Sequence, residues 1–306
     1  MSRPFPTEST IRGDSGRTYT IQEILTQRQD HTLNVYRASA EDKSFIIKDM
    51  IPGEFEYQLE LQKPLFCHPN LRTVVDTILS GDLLRMSKRI ASKATKTSVL
   101  RSDLAGLAEL QDKNIIHTDI KPNDILLNYS ETEGSDPIIQ SVQISDLEDA
   151  VALPPGKNLK GCLCGNQLWR SPESWARAKQ NISSDVFSFG IVAIYVILDD
   201  IIFLVSDEEL KGNDAWWHIL RRHISFLGDE DGFVGLLDYI GQENPFFERL
   251  IALAGDFNVE KPRKPFAFWR YVDEGFRDLI AVMTNLNPAK RITARQAMEH
   301  LCLKCE

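Results

Sequence analysis

The chain has 306 residues, 42% of them hydrophobic and 26% charged, the balance of a globular protein with a sizeable core. A formal net charge of -9 offers no attraction for nucleic acid or an acidic membrane surface, so neither is expected as a partner. The five cysteines, Cys67, Cys162, Cys164, Cys302 and Cys305, are too few for a disulfide framework and suit a reducing intracellular compartment, cytoplasmic or nuclear.

In chain order, residues 1–18 are polar, carry Pro4, Pro6, Gly13 and Gly16, and lack the apolar run of a secretory signal, so they read as a tail. Residues 19–48 read as short strands around Tyr19–Ile21, Ile24–Leu25, Leu33–Ala38 and Ser44–Lys48, separated by polar breaks. Glu54–Leu65 has helical character, and Pro64 marks its last turn. Leu71–Leu79 reads as a strand that Ser80-Gly81-Asp82 could turn back into Leu83–Met86. Leu100, Leu104, Leu107, Ala108 and Leu110 recur at helical spacing, which predicts a helix over 98–111. The basic stretch 87–97 is left as a connection. Residues 128–136 read as a surface loop between strands 125–127 and 138–144. The apolar run Phe187–Val205 is interrupted by Asp199 and Asp200, so it reads as a buried helix and is too short to span a bilayer. The aromatic-rich stretch 205–275 reads as packing, or as a partner surface. Cys162-x-Cys164 and Cys302-x-x-Cys305 have no further cysteine or histidine at ligand spacing, which argues against zinc.

The most informative stretch is His117-Thr118-Asp119-Ile120-Lys121-Pro122-Asn123-Asp124. Pro122 makes it a loop, and that loop carries an acid, a base and a second acid between apolar flanks. It resembles the catalytic loop H-R-D-L-K-P-x-N of protein kinases, with Thr118 in place of Arg and Asp124 in place of Asn. Other segments follow in the same family order. Phe45-Ile46-Ile47-Lys48 resembles V-A-I-K, and His68-Pro69-Asn70-Leu71 resembles H-P-N-I. Ser145-Asp146-Leu147-Glu148 resembles the D-F-G segment, Ser171-Pro172-Glu173 resembles A-P-E, and Asp185-Val186-Phe187-Ser188-Phe189-Gly190 resembles D-x-W-S-x-G. The glycine-rich loop does not match. Its three glycine positions hold Arg28, Asp30 and Leu33.

The resemblance implies an α+β, bilobal protein kinase-like fold with a small β-rich N-lobe, residues 19–88, and a larger helical C-lobe, residues 89–306. The hinge between them looks shortened. It implies ATP and magnesium, or manganese in its place, as cofactors, with a protein substrate or protein partner. Asp119 and Lys121 take the catalytic positions, and the place of Lys121 points to serine/threonine hydroxyls. Asp146 and Asp124 take the metal positions, a carboxylate suiting a hard cation. Lys48 takes the phosphate position, braced by Glu56 with Glu60 as the alternative, and Val35, Ile46 and Leu126 line the nucleotide slot. Glu173 and Arg291 should pair. Three activities stay open: a serine/threonine-type kinase, a pseudokinase scaffold, and a small-molecule phosphotransferase. The Ser-Pro-Glu and D-x-F-S-x-G segments argue against the third.

Overall fold

A computed structural model describes residues 5–27, 34–50, 54–66, 68–74, 92–130 and 137–304. Four antiparallel strands in sequential order form the first sheet: β1 (Thr10–Arg12), β2 (Thr18–Gln27), β3 (Asn34–Ala40) and β4 (Lys43–Lys48). The strands expected across residues 19–48 are present among the described residues. Tyr19 and Ile21 of β2 and Tyr36, Ala38 and Ala40 of β3 point into one small core with Phe45 and Ile47. Tyr19 and Phe45 meet edge to face, with ring centroids 4.9 Å apart. Glu41 and Asp42, at φ 51° and 61°, close β3 onto β4 in a two-residue turn whose left-handed backbone angles suit the right-handed twist of the strands. One correction concerns residues 1–18: Thr10–Arg12 of the expected tail adds an edge strand, and Phe5 packs its ring on Tyr36.

Helix α1 (Glu54–Gln62) runs into a single 3-10 turn at Lys63–Leu65, with Pro64 inside that turn. Its buried residues are Gln58, Leu61 and Gln62, followed by Leu65. The face turned inward therefore carries two amides rather than the acids. Leu71 bridges to Ile144, but Arg72, Thr73 and Val74 belong to no strand; residues 75–79 of the expected strand, the 83–86 return strand and residues 87–91 lie outside the described residues, as does Cys67.

Helix α2 (Lys93–Asp112) starts a full turn before the predicted 98–111. Ser92 is the reason. Its extended backbone and its hydroxyl, which accepts the Thr95 N–H, cap the helix and draw 93–97 into it. Lys96 in that added turn is buried and reaches Asp199 Oδ2 at 2.8 Å and the Ile197 carbonyl at 3.1 Å.

After α2, β5 (Ile115–Ile116) leads into the Pro122 loop. Then β6 (Ile125–Ser130) pairs with β7 (Ile138–Ile144), and β8 (Val151–Ala152) returns to β5. Residues 128–130 of the expected 128–136 loop are strand, because β6 continues through Ser130; residues 131–136 lie outside the described residues. The helical region comprises α3 (Pro172–Trp175), α4 (Ile182–Leu198), α5 (Asp207–Lys211), α6 (Ala215–Leu227), α7 (Glu230–Ile240), α8 (Phe246–Gly255), α9 (Glu274–Met283) and α10 (Ala294–Met298).

Helix α4 is apolar almost all round because neighbours enclose it, and it ends at Asp199, whose left-handed φ of 54° stops the helix. The run Phe187–Val205 is thus a buried helix whose last residues lie beyond it. Among the described residues no helix is long and apolar enough to cross a membrane. In stretch 205–275, Trp216, Trp217, Phe246 and Trp269 pack against the large core, which explains the aromatic content. The architecture is α+β, with a β-rich N-terminal region and a helical C-terminal region.

Candidate active site

Lys48 is the last residue of β4, opposite Val35 of β3. Asp146 stands two residues past the end of β7, and the loop between β5 and β6 carries Asp119, Lys121 and Asp124. Strand ends from both regions thus deliver these charges to one cleft. The cleft encloses about 350 Å³, within the range of small-molecule sites. Val35, Ile46 and Leu126 line it beside Lys48, Lys121, Asp124, Asp146 and Glu148.

Two lysines organise the acids. Lys48 Nζ lies 2.5 Å from Asp146 Oδ1 and 2.8 Å from Glu148 Oε2. Lys121 Nζ lies 2.5 Å from Asp119 Oδ2, 3.3 Å from Asp124 Oδ2 and 4.0 Å from Asp146 Oδ2. Burial works against both ammonium charges, but the carboxylates around them outweigh it and raise both pKa values. For Asp146, burial favours the neutral acid, yet Lys48 and Lys121 hold its pKa below the ordinary value. Asp124 is different. Burial dominates, with Asp146 and Asp119 adding repulsion, and its pKa is pushed up to about 7.

The backbone around these acids is over-determined. Thr118 and Asp146 both adopt left-handed φ, 75° and 65°, which costs energy for residues with a Cβ. Asp185 of α4 accepts the N–H of His117 at 2.7 Å and of Thr118 at 3.1 Å. Burial pushes the Asp185 pKa up to about 7 against those two donors. His117 Nε2 lies 2.9 Å from the Ser145 carbonyl, and burial lowers its pKa, so the ring bridges the loop to β7 in its neutral form. Asp119 Oδ1 accepts the Asn166 N–H at 2.6 Å. That approach depends on Gly165, at φ 81°, where a Cβ would stand 2.9 Å from the Thr118 carbonyl.

Of the residues expected at the site, Lys48, Asp119, Lys121, Asp124, Asp146, Val35, Ile46 and Leu126 come together. Glu56 does not. It lies on the exposed face of α1, and Glu60 is exposed and pairs with Lys63. Two residues before Gln58 is about 200° around a helix, so burying Gln58 turns Glu56 outward. Arg28, Asp30 and Leu33 lie outside the described residues. Sequence reasoning missed Gln58, Asn166 and the pairing of Glu148 with Lys48. The spacing 58, 61, 62, 65 is a helical face, and its two glutamines were the available signal.

Magnesium fits the donor set. Asp124 Oδ2 is buried and faces the Lys121 ammonium at 3.3 Å with no aligned hydrogen bond among the described residues, and Asp146 lines the same cleft. Among the described residues no three acidic, histidine or cysteine side chains form a ready-made cage. Magnesium commonly takes only one or two carboxylates, completing its shell with phosphate oxygens and water.

Two lysines and the carboxylates around them thus meet in one cleft between the β-rich and the helical region. The protein kinase domain profile matches residues 66–303, and the chain belongs to that family. It is 25% identical over 248 residues to the bovine phosphorylase b kinase gamma catalytic chain, liver/testis isoform, covering 76% of this chain and 50% of that one. It is 30% identical over 145 residues to the serine/threonine-protein kinase ATG1c of Arabidopsis thaliana, covering 42% of this chain and 19% of that one. The chain thus spans half or less of the length of these two relatives. In fold it is similar to a chain in the crystal structure of the yeast RNA Pol II CTD kinase CTDK-1 complex, with a TM-score of 0.70, 17% identity and coverage of 100% and 96%.

Proposed function

We propose that this domain transfers the terminal phosphoryl group of ATP to serine or threonine hydroxyls of a protein. The observation that carries this reading is the convergence of Lys48, Asp119, Lys121, Asp124 and Asp146 on one cleft. Phosphoryl transfer asks a protein mainly for positioning and charge neutralisation. Asp119 orients the incoming hydroxyl and accepts its proton, with one oxygen fixed by Asn166. Lys121, already on Asp119, stands where it can screen the transferred group. Lys48 holds the α- and β-phosphates. Asp146 and Asp124 would hold magnesium or manganese, which when bound offsets charge on the phosphate oxygens.

The test is a radiolabelled phosphate-transfer assay on a serine/threonine peptide library, with and without Mg²⁺ or Mn²⁺, alongside Asp119→Asn and Asp146→Ala. Metal-dependent transfer lost in both variants supports the reading. A wild-type chain that transfers nothing with either metal refutes it. One observation favours a binding scaffold instead. Ile46, where the family has a small alanine, projects into the slot expected to take adenine. Nucleotide binding without transfer would select that reading.

A further inference from the structure

Resting on the phosphotransfer reading, we propose that Glu148 is the residue that positions Lys48, and that α1 contributes an amide tether in place of a carboxylate. Glu148 stands where the resemblance expects a flexible glycine. Its Oε2 lies 2.8 Å from Lys48 Nζ, and its side chain lines the cleft. Among the described residues the carboxylates on Lys48 are those of Asp146, at 2.5 Å, and Glu148; Glu56 lies on the exposed face of α1, and Glu60 is held by Lys63. The inward position of the helix belongs to Gln58. Its Nε2 donates to the Glu148 carbonyl at 2.7 Å and the Ala150 carbonyl at 3.3 Å.

The segment bearing Glu148 is fixed from several sides. A 3-10 turn spans Leu147–Asp149, entered through left-handed Asp146. The Ala152 N–H donates to the Tyr57 hydroxyl of α1 at 3.0 Å. The Thr118 hydroxyl donates to the Asp149 carbonyl at 3.2 Å. β8 then pairs with β5. A glutamate on a segment held this way can keep a lysine in one place with no acid from the helix. The helix retains its influence indirectly, because displacing α1 would pull Gln58 off the Glu148 backbone and disturb the partner that Lys48 has beside Asp146. Glu148 is thus a positioning residue. It acts on phosphate through Lys48 and does not touch the reacting atoms.

The experiment is a titration of a fluorescent ATP analogue with Mg²⁺ against the full chain, Glu148→Gln, Glu148→Asp, Lys48→Met and the double variant Glu148→Gln/Lys48→Met. Glu148→Gln should raise Kd about tenfold, the scale of one charge-assisted hydrogen bond. Glu148→Asp should recover part of that. In the Lys48→Met background, Glu148→Gln should change Kd by less than about twofold, because its effect runs through the lysine. The same fold-change in both backgrounds would overturn the proposal. A wild-type chain that binds no analogue would defeat the phosphotransfer reading instead. The pairing is then read from the rate at which an amine-reactive ester acylates Lys48, followed by mass spectrometry. Glu148→Gln should speed that labelling severalfold. No change with Glu148→Gln, or acceleration by Glu56→Gln in its place, would overturn the assignment.

Discussion

Arg291 holds Glu173 across 118 residues of chain, with Nη1 2.6 Å from Oε1 and Nη2 2.8 Å from Oε2, and neither side chain is solvent-accessible. Ser184 donates a further hydrogen bond to Glu173, and the Arg291 guanidinium lies over the Phe187 ring. The pair ties the segment after the cleft to the turn before α10. Arg291→Met would strand a buried carboxylate, so it should lower unfolding free energy by about 3–5 kcal/mol in urea denaturation at pH 7. Burial opposes the Glu173 charge, but Arg291 more than offsets it, and the pKa falls below the ordinary 4.5. The unfolded state therefore takes up its proton first as pH falls. The contribution of this group is full above 4.5 and is lost as pH drops through the lower folded value. The wild-type advantage over Arg291→Met should shrink across that window.

Asp124 has the opposite sign. Its folded pKa of about 7 stands above the ordinary 3.8. Between those values the folded state holds a proton that the unfolded state has released, so stability falls as pH rises. Asp124→Asn should flatten that slope. In chelator-treated protein at pH 8 it should be the more stable form, by roughly 2–4 kcal/mol at most. Denaturation curves of both proteins from pH 4 to 8 check this. Parallel curves would count against it.

Gly165→Ala places a Cβ against the Thr118 carbonyl in a left-handed backbone. It should cost about 1–3 kcal/mol in stability. It should also lower kcat, because Asn166 can no longer hold Asp119 Oδ1 at 2.6 Å. A variant with unchanged kcat would show that this hydrogen bond is dispensable.

Ile46→Ala should tighten ATP binding about tenfold or more, since overpacking of a pocket typically costs about 1–3 kcal/mol. Calorimetric titration with Mg²⁺ reads this directly. Weaker binding in the variant would mean that Ile46 is a contact rather than an obstruction.

No Ser, Thr or Tyr occurs from Leu147 to Arg170, and Thr118 stands where an arginine would hold a phosphate. This segment is expected to carry no phosphate in protein isolated from cells, and phosphatase treatment should not alter its contacts. Peptide mapping of residues 147–170 is the measurement.

The residues easiest to read from sequence were those at strand ends. Lys48 closes β4 and Asp146 follows β7, so a strand pattern plus a terminal charge locates both. The Pro122 loop is equally legible, because proline and closely spaced charges exclude regular structure there. The orientation of α1 was not legible. The sequence offers Glu56, with Glu60 as the alternative, as the inward acid, and only docking selects the face with Gln58 and Gln62 instead. The start of α2 was hidden because 93–97 is basic and weakly apolar. Its helical state depends on the Ser92 cap and on the burial of Lys96 against the end of α4. Asn166 carried no local signal at all, since its role is a backbone N–H that only Gly165 brings into reach.

The core of the first sheet consists of Tyr19, Ile21, Tyr36, Ala38, Ala40, Phe45 and Ile47. So small a cluster is below what an independent folding unit usually needs. The sheet therefore borrows order across the cleft, through Lys48 to Asp146 and Glu148 and through Gln58 to the Glu148 backbone. Amide hydrogen exchange should expose this as two separate cooperative units, with β1–β4 opening at lower free energy than α2 and α4. Any small molecule bridging Lys48 and Asp146 should then slow exchange throughout that sheet, including at β1, which is remote from the cleft.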